Sequence, residues 1–217
     1  MRGIRDQIWL SMLCGANGAF LWTADCEAEM AEFGKVTPAL KAVGIDLTTL
    51  QRRTPRVVVT MPDSSNANSA AHELAYQLLS RGIDFDVRPA EEAGSYAIRL
   101  DGAEPGLPTD LQAEFFSPGK GWQLTSLVSK KGDQALVYLR NTAGGIRNYG
   151  KKRACWLRAP EPAIPEINIL GGKWQQIRAY DLDTGQILPV QRNDSRLVLS
   201  GATFHDIVLG FVCQKEF

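Results

Sequence analysis

The chain has 217 residues, and its 24 lysine and arginine residues balance its 24 aspartate and glutamate residues. This balance argues against a nucleic-acid-binding domain, because such domains usually carry a clear basic excess. Hydrophobic residues make up 44% of the chain and charged residues 22%, which is too apolar for a disordered protein. A complete (β/α)8 barrel typically needs about 250 residues, so this chain cannot hold one alongside any further unit.

The cysteine and histidine content gives no sign of a metal site or a disulfide framework. The two histidines, His72 and His205, are too few and too isolated for a typical histidine-based metal site. The four cysteines include no CxxC pair and are sparse for this length: Cys14, Cys26, Cys155 and Cys213. We therefore expect a reduced protein with no metal and no other cofactor. No run reaches the ~18 apolar residues of a membrane span, so no membrane partner is expected.

The first segment, residues 1–52, begins with a helical pattern followed by a strand. Residues 2–14 predict an amphipathic or buried helix, which the Gly-Ala-Asn-Gly run at 15–18 interrupts. Residues 19–23 then predict a short buried strand. A lone strand leaves its backbone hydrogen-bonding groups without partners, so this strand has to join a sheet.

A second helix completes this segment, and its start has two readings. It fits around residues 28–31, or it begins later, with Thr37 as the N-cap and Pro38 as the first helical residue. In either case Gly44 is a good stop signal. The segment is thus predicted to be a helix–strand–helix unit.

The second segment, residues 53–108, has the pattern of one βαβ unit. Residues 56–61 are a β-branched run typical of a buried parallel strand, and residues 83–87 alternate as a second strand. Residues 95–100 predict a third strand. The intervening helix has apolar residues at helical spacing: Ala71, Leu74, Ala75, Leu78 and Leu79. The loop before it contains neither GxGxxG nor GxxxxGK[ST], so helix capping explains its Ser and Asn content better than phosphate binding does.

The third segment, residues 109–217, predicts only strands. Turn signals rich in glycine and aspartate separate seven short β-rich runs at roughly 8–12-residue spacing, which is typical of an antiparallel β-sandwich. The predicted strands are 123–128, 135–139, 152–157, 164–169, 175–180, 197–199 and 206–211.

The sequence contains one acidic and one basic cluster, and each can be explained either by a structural role or by a binding or catalytic role. Four acidic residues follow the first predicted strand: Asp25, Glu27, Glu29 and Glu32. Paired carboxylates can catalyse glycoside hydrolysis. A solvent-exposed loop that leads into a helix explains these residues better. Five basic residues lie close together in the chain: Arg147, Lys151, Lys152, Arg153 and Arg158. They are most simply exposed residues of a β-hairpin, and a local binding site for an anionic ligand is the alternative.

A nucleophilic site has no support in the sequence. Ser195, His205 and Asp206 lie near one another in the chain, but no GxSxG motif accompanies them. No cysteine lies between Cys26 and Cys155, so the βαβ region has no thiol nucleophile.

Taken in order, the three segments resemble the C-terminal portion of a clan-A glycoside hydrolase of the barrel β-galactosidase type. Residues 4–22, which contain the stretch Gly-Ala-Asn-Gly-Ala-Phe-Leu-Trp, are similar to the last helix and eighth strand of the catalytic barrel. Residues 57–87 resemble the opening βαβ unit of the family's amidotransferase-like trimerisation domain. Residues 174–185, with Ala-Tyr-Asp-Leu-Asp-Thr-Gly at their end, are similar to a stretch of the small β-sandwich that closes these enzymes.

The resemblance implies both an architecture and a restricted set of site residues. It implies a barrel end at 1–52, a partial flavodoxin-like trimerisation unit at 53–108 and a β-sandwich at 109–217. Both catalytic glutamates of the family precede the matched region, so no catalytic residue carries over. Trp22 would line the sugar subsite beside the cleaved bond, and its neighbour Asp25 would contact a sugar hydroxyl. The middle unit has fewer strands than the family's, which puts trimerisation in doubt.

The resemblance predicts a C-terminal part of a glycoside hydrolase acting on β-linked sugars such as β-galactosides. A chain with only the final barrel strand cannot place two carboxylates across a glycosidic bond, so it is expected to be inactive alone. Two alternatives stay open: a carbohydrate-binding β-sandwich, and an oligomerisation piece that self-associates or docks on a barrel-bearing partner. Cytoplasmic location is expected, or secretion with a parent enzyme. Apolar surface is expected around Trp9, Leu13 and Phe20.

Overall fold

The computed structural model describes residues 9, 13, 27–46, 48–51, 55–61, 68–104, 106–149, 154–158, 160–170, 174 and 177–213. Trp9 and Leu13 are helical. The further helices are α1 (Glu27–Ala42), α2 (Asn68–Ser80) and a 3-10 helix (Ala90–Ser95). The strands are β1 (Leu50–Gln51), β2 (Val57–Met61), β3 (Phe85–Pro89), β4 (Ile98–Asp101), β5 (Phe116–Pro118), β6 (Trp122–Ser129), β7 (Gln134–Asn141), β8 (Ile146–Tyr149), β9 (Ala154–Arg158), β10 (Glu166–Ile169), β11 (Ile177–Asp181), β12 (Ile187–Leu188), β13 (Val190–Asn193), β14 (Arg196–Leu199) and β15 (Asp206–Cys213).

Helix α1 is longer than either sequence reading and runs through Pro38. The prediction that a helix starts at Thr37 and Pro38 is therefore wrong. An internal proline costs about 3 kcal/mol, but Val36 and Leu40 are buried on either side of it and hold the helix together. The predicted stop at Gly44 is confirmed, since this residue has a φ of 73° and follows the last turn.

The predicted βαβ unit and its third strand are confirmed. Strands β3, β2 and β4 form a parallel sheet in that order, so β2 lies in the centre. Helix α2 packs on one face, because its Leu74 and Leu78 share a cluster with Val57 and Val59. Numbered along the chain, the strand order of this sheet is 2-1-3.

The remainder of the described chain is almost entirely antiparallel sheet. One sheet has the order β1-β6-β7-β15-β11-β12, and a second has the order β13-β14-β10-β5. All seven strands predicted between 109 and 217 overlap observed strands. The prediction missed β5, β8, β12 and β13, which are short strands of two to four residues without a β-branched run.

A single hydrophobic cluster joins these two antiparallel sheets. Phe116, Ile167 and Leu197 come from the four-stranded sheet, while Val137 and Phe211 come from the six-stranded one. The rings of Phe116 and Phe211 lie 5.7 Å apart and are tilted by 60°. Such contacts bury aromatic area in a favourable geometry. The inner face of each sheet is thus covered by the other.

The outer face of the six-stranded sheet is covered by the N-terminal segment. Trp9 and Leu13 are only 3% and 2% exposed and pack with Leu136 and Tyr138 of the sheet. The expectation that Trp9 and Leu13 form exposed apolar surface is therefore wrong, because the sheet offers them a second apolar face. Phe20, the third residue of that expectation, lies outside the described residues. None of the described helices is long and apolar enough to cross a membrane.

Candidate functional site

The two predicted substrate-binding residues, Trp22 and Asp25, lie outside the described residues. Their assignment as a sugar subsite remains a prediction from the resemblance. Of the acidic cluster, Glu27, Glu29 and Glu32 belong to the first turns of α1. These three residues therefore lie in a helix rather than in a loop that precedes one.

One groove lies where the N-terminal segment meets the six-stranded sheet. It has a volume of about 640 Å³ and runs between α1 and the turn after β11. Trp9 and Pro38 line one side, and Lys35 stands at its border. Asp183 and Thr184 line the opposite side. The groove combines apolar walls with a few polar groups, which is the usual composition of a ligand site.

The turn that forms the second wall explains the Asp-Leu-Asp-Thr-Gly stretch of the sequence. The carboxylate of Asp181 is 8% exposed and accepts hydrogen bonds from the Asp183 N–H and the Thr184 hydroxyl, both at 2.9 Å. The N–H of Gly185 donates to the Asp181 carbonyl at 2.7 Å, and Gly185 has a φ of 70°. This stretch is a self-capped turn in which the polar side chains bond to the turn itself.

The groove holds no catalytic carboxylate pair among the residues described. Glycoside hydrolysis needs two carboxyl groups roughly 5–9.5 Å apart across the scissile bond. Both oxygens of Asp181 already accept hydrogen bonds within the turn. Trp9 is too buried to present a ring face for stacking on a sugar. Asp183 is the one carboxylate that lines the described part of the groove, so this part supplies no carboxylate pair for the reaction.

Most of the described aromatic residues of the β-region are buried or only partly exposed. Trp122, Tyr138 and Trp174 are 3%, 4% and 1% exposed, and Tyr180 is only partly exposed. Tyr149 and Trp156 lie in β8 and β9, and the structure gives their backbone positions alone. Among the side chains that the structure describes, no aromatic ring is exposed. The buried rings of Trp122, Tyr138 and Trp174 therefore offer no stacking surface to a sugar.

The second face of the parallel sheet is polar and is closed by the 3-10 helix. Asp86 accepts a hydrogen bond from the Tyr96 hydroxyl, and Arg88 lies 3.8 Å from Glu92. Tyr96, followed by Asp86, raises the pKa of the Arg88 guanidinium. Arg99 donates to the carbonyl of Gly94 at 2.9 Å. These charges clamp the connection from β3 to β4 and do not form a ligand site.

Replacing Tyr96 by phenylalanine tests this clamp. The variant loses one side-chain hydrogen bond to Asp86, so we expect the free energy of unfolding to fall by about 0.5–1.5 kcal/mol. Chemical denaturation measures the change. Arg56→Ala is a suitable control, since Arg56 is an exposed residue beside the same sheet. A Tyr96→Phe variant as stable as the parent chain would show that the clamp contributes nothing.

The loose set of Ser195, His205 and Asp206 is not assembled into a triad. Ser195 and His205 lie at opposite ends of β10, because Ser195 is bonded to Ile169 at one end, while Phe204, next to His205, pairs with Ala163 before the other end. The carbonyls of Ser195 and His205 accept backbone hydrogen bonds from Ile169 and Asn141. His205 directly precedes β15, and Asp206 is the first residue of that strand.

Other groups give no second site. Burial raises the pKa of the Cys213 thiol, and the Asp133 carboxylate adds to this effect, so the thiol is a poor nucleophile. The described residues contain no group of three or more His, Cys, Asp or Glu side chains that could hold a metal ion.

Comparison with known proteins does not identify the chain. No protein-family model matches it, and no curated protein matches its sequence. The groove beside α1 was not found from the sequence, because Trp9, Lys35 and Asp183 lie far apart in the chain and carry no shared motif.

Proposed function

We propose that this chain is the C-terminal, non-catalytic part of a glycoside hydrolase that acts on β-linked sugars such as β-galactosides. The supporting observation is the order of its units: helical residues, then a parallel sheet of order 2-1-3, then two antiparallel sheets with a common core. In this proposal residues 1–52 are the end of a (β/α)8 barrel. Residues 53–108 are a partial flavodoxin-like unit, and residues 109–217 are a β-sandwich.

The proposed role without catalysis agrees with what the described residues can do. Catalytic groups of a barrel enzyme come from the ends of several different strands. The parallel strands here, β2 to β4, belong to an open sheet of three, which cannot close into a barrel. The chain would instead supply a sugar-lining residue, Trp22, and would support the neighbouring barrel.

An activity assay tests the absence of catalysis. We expect the purified chain to hydrolyse 4-nitrophenyl β-galactoside no faster than buffer does, because a carboxylate pair is missing from the described sites. A barrel β-galactosidase measured at the same concentration is the positive control. Turnover by the purified chain at an enzymatic rate would contradict the proposal.

A complementation assay tests the link to a glycosidase. The chain is co-expressed with a barrel β-galactosidase truncated before its last barrel strand, and activity is expected only when both are present. Trp22→Ala is expected to raise KM by about tenfold, since a stacked aromatic contributes about 1–1.5 kcal/mol, while Trp22→Tyr keeps most of the affinity. Failure to restore activity, with the chain folded and soluble, would count against the glycosidase assignment.

A docking role is the second candidate, and one observation favours it. The apolar cluster that holds Trp9 and Leu13 opens directly into the 640 Å³ groove, because Trp9 belongs to both. A barrel-bearing partner would extend this intramolecular contact. The carbohydrate-binding β-sandwich is less well supported, since Trp122, Tyr138 and Trp174 are core residues. Size-exclusion chromatography of the chain mixed with the truncated barrel distinguishes a stable complex from no association.

A further inference from the structure

A second groove lies where the parallel sheet and its helix meet the four-stranded sheet, and we name it the α2–β5 groove. It has a volume of about 390 Å³ and is bordered by the end of α2, the segment 109–113 and β5. Leu170, which directly follows β10, closes the remaining side. Every residue that lines the groove belongs to the described part of the chain. Ligand sites are typically found at such junctions and have volumes of about 300–1,000 Å³.

The walls of the α2–β5 groove are tied to one another by hydrogen bonds and packing. The Arg81 guanidinium, just after α2, donates to the carbonyl of Pro108 at 2.8 Å. The N–H of Leu170 donates to the carbonyl of Phe115 at 2.8 Å. Leu111 packs against the hydrophobic cluster between α2 and the parallel sheet. These contacts hold the groove in shape before any ligand arrives, which lowers the cost of binding.

The α2–β5 groove carries one positive charge and no negative charge. Arg81 is the one charged side chain among the nine residues that line it. The bond to Pro108 uses one of the five N–H donors of this guanidinium, so further donors remain for a ligand. Asp110 belongs to the bordering segment but does not line the groove. The groove is therefore complementary to a small anion with a single charge.

The rest of the wall is apolar or neutral. Leu111, Pro118 and Leu170 supply apolar surface. Leu170 is 48% exposed, which is unusual for a large apolar side chain and leaves its surface available for contact. Thr109 and Ser117 add hydroxyl groups that can donate or accept a hydrogen bond. A ligand that fits this wall has an apolar body beside its charged group.

We propose that the α2–β5 groove binds a small organic monocarboxylate, with its carboxylate on Arg81 and its apolar body against Leu170. A guanidinium pairs with a planar carboxylate through two parallel hydrogen bonds. A phosphate monoester carries a charge of about −1.5 to −2 and calls for more than one cation. The carboxylate therefore matches the single charge of the groove better. This inference does not depend on the proposed glycosidase function, because it uses no residue of the segment 1–52.

Titration of the ¹⁵N-labelled whole chain with hexanoate, followed by ¹H–¹⁵N correlation spectra, tests the proposal. We expect a Kd of about 1 mM, the ordinary affinity of so small a ligand. The amide signals of Thr109, Leu111 and Gln112 are expected to shift. Hexanamide has the same shape without the charge and is expected to bind about fivefold more weakly, the effect of losing one largely exposed ion pair. Inorganic phosphate is also expected to bind more weakly than hexanoate.

Variants assign the two parts of the ligand to the two sides of the groove. Arg81→Gln is expected to bind hexanoate and hexanamide equally, with the affinity that the parent chain has for hexanamide. Leu170→Ser is expected to weaken both probes by about threefold, because it removes apolar contact area. The matched control is Arg99→Gln. Arg99 also donates to a backbone carbonyl, that of Gly94 at 2.9 Å, but does not line the groove. Thermal melts establish that each variant is folded.

Several results would overturn the proposal. The parent chain would bind hexanamide or phosphate as tightly as hexanoate, or the shifted amide signals would lie outside the segment 109–113. Equal losses of hexanoate affinity in Arg81→Gln and Arg99→Gln would show only a general charge effect. Loss of both probes in Arg81→Gln would also contradict the assignment of the carboxylate to Arg81, since removal of the charge alone spares hexanamide.

Discussion

Replacing Gly82 by alanine is expected to lower the free energy of unfolding by about 2–5 kcal/mol. Gly82 ends α2 with a φ of 70°, a left-handed conformation that a side chain disfavours. A Cβ atom built on it would lie 2.5 Å from the carbonyl oxygen of Phe116. That oxygen belongs to the backbone of β5 and cannot move away like the tip of a side chain. The substitution would therefore strain the contact between the parallel unit and the four-stranded sheet.

Gly144→Ala is the matched control for this prediction. Gly144 has nearly the same φ, 69°, but nothing lies within 4 Å of a Cβ built there. Its substitution is expected to cost about 1–2 kcal/mol, the price of the left-handed conformation alone. Guanidinium denaturation of both variants measures the difference. Equal losses in Gly82→Ala and Gly144→Ala would mean that the α2–β5 contact tolerates a methyl group.

Replacing Gly210 by valine is expected to displace the N-terminal segment from the six-stranded sheet. A Cβ at Gly210 would lie 2.6 Å from Cδ1 of Ile45 and 3.1 Å from Cδ2 of Leu182. Gly210 lies in the middle of β15, where valine is intrinsically a better strand residue than glycine. Overpacking at such a contact costs about 1–3 kcal/mol. A loss of stability would thus come from the crowded packing and not from the strand.

A double-mutant cycle with Ile45→Ala identifies the crowding partner. Ile45→Ala alone is expected to cost about 2–4 kcal/mol, because Ile45 is 4% exposed within the same cluster. If valine occupies the space that Ile45 leaves, the double variant loses less than the sum of the two single variants. Limited proteolysis, read as cleavage between 27 and 51, is expected to accelerate in Gly210→Val and recover in the double variant. Additive losses with no change in proteolysis would contradict this account.

Docking of the N-terminal segment also depends on polar contacts that hold the chain after α1. The Gln134 side chain donates to the Gly44 carbonyl at 2.9 Å and accepts from the Asp46 N–H at 3.3 Å. The Thr48 hydroxyl and N–H lower the pKa of the Asp46 carboxyl, which favours its ionised form. Burial of Trp9 and Leu13 supplies the apolar part of the same contact.

The sequence predicted those elements whose signals are local. The β-branched run Val57–Val59 and the helical spacing of Leu74 and Leu78 are sufficient to predict a buried parallel strand and an amphipathic helix. Gly44 and Gly82 end their helices in the left-handed conformation that their residue type allows. Alternation and turn residues located seven strands of the β-region. In each case the information lies within a few residues of the element itself.

Some elements are stabilised by contacts with residues far away in the sequence. The sequence analysis missed these elements or predicted the wrong end residues for them. One of the two sequence readings placed a helix start at Thr37 and Pro38, but the helix runs through Pro38, where Val36 and Leu40 pack on a sheet formed mainly by residues after 120. The two-residue strand β1 has no pattern of its own and exists by pairing with Val128 and Ser129. The groove beside α1 likewise joins residues that are distant in the chain.

By itself, the sequence determined the element types, the neutral charge and the absence of a recognisable catalytic motif. The tertiary structure decided which faces are buried: Trp122 and Trp174 entered the core, while Trp9 and Leu13 covered the outer side of the six-stranded sheet. The physical reason is that local signals specify hydrogen-bonding pattern and apolar periodicity. Burial depends on which surfaces meet when distant segments pack, and a single strand or helix does not encode its partner.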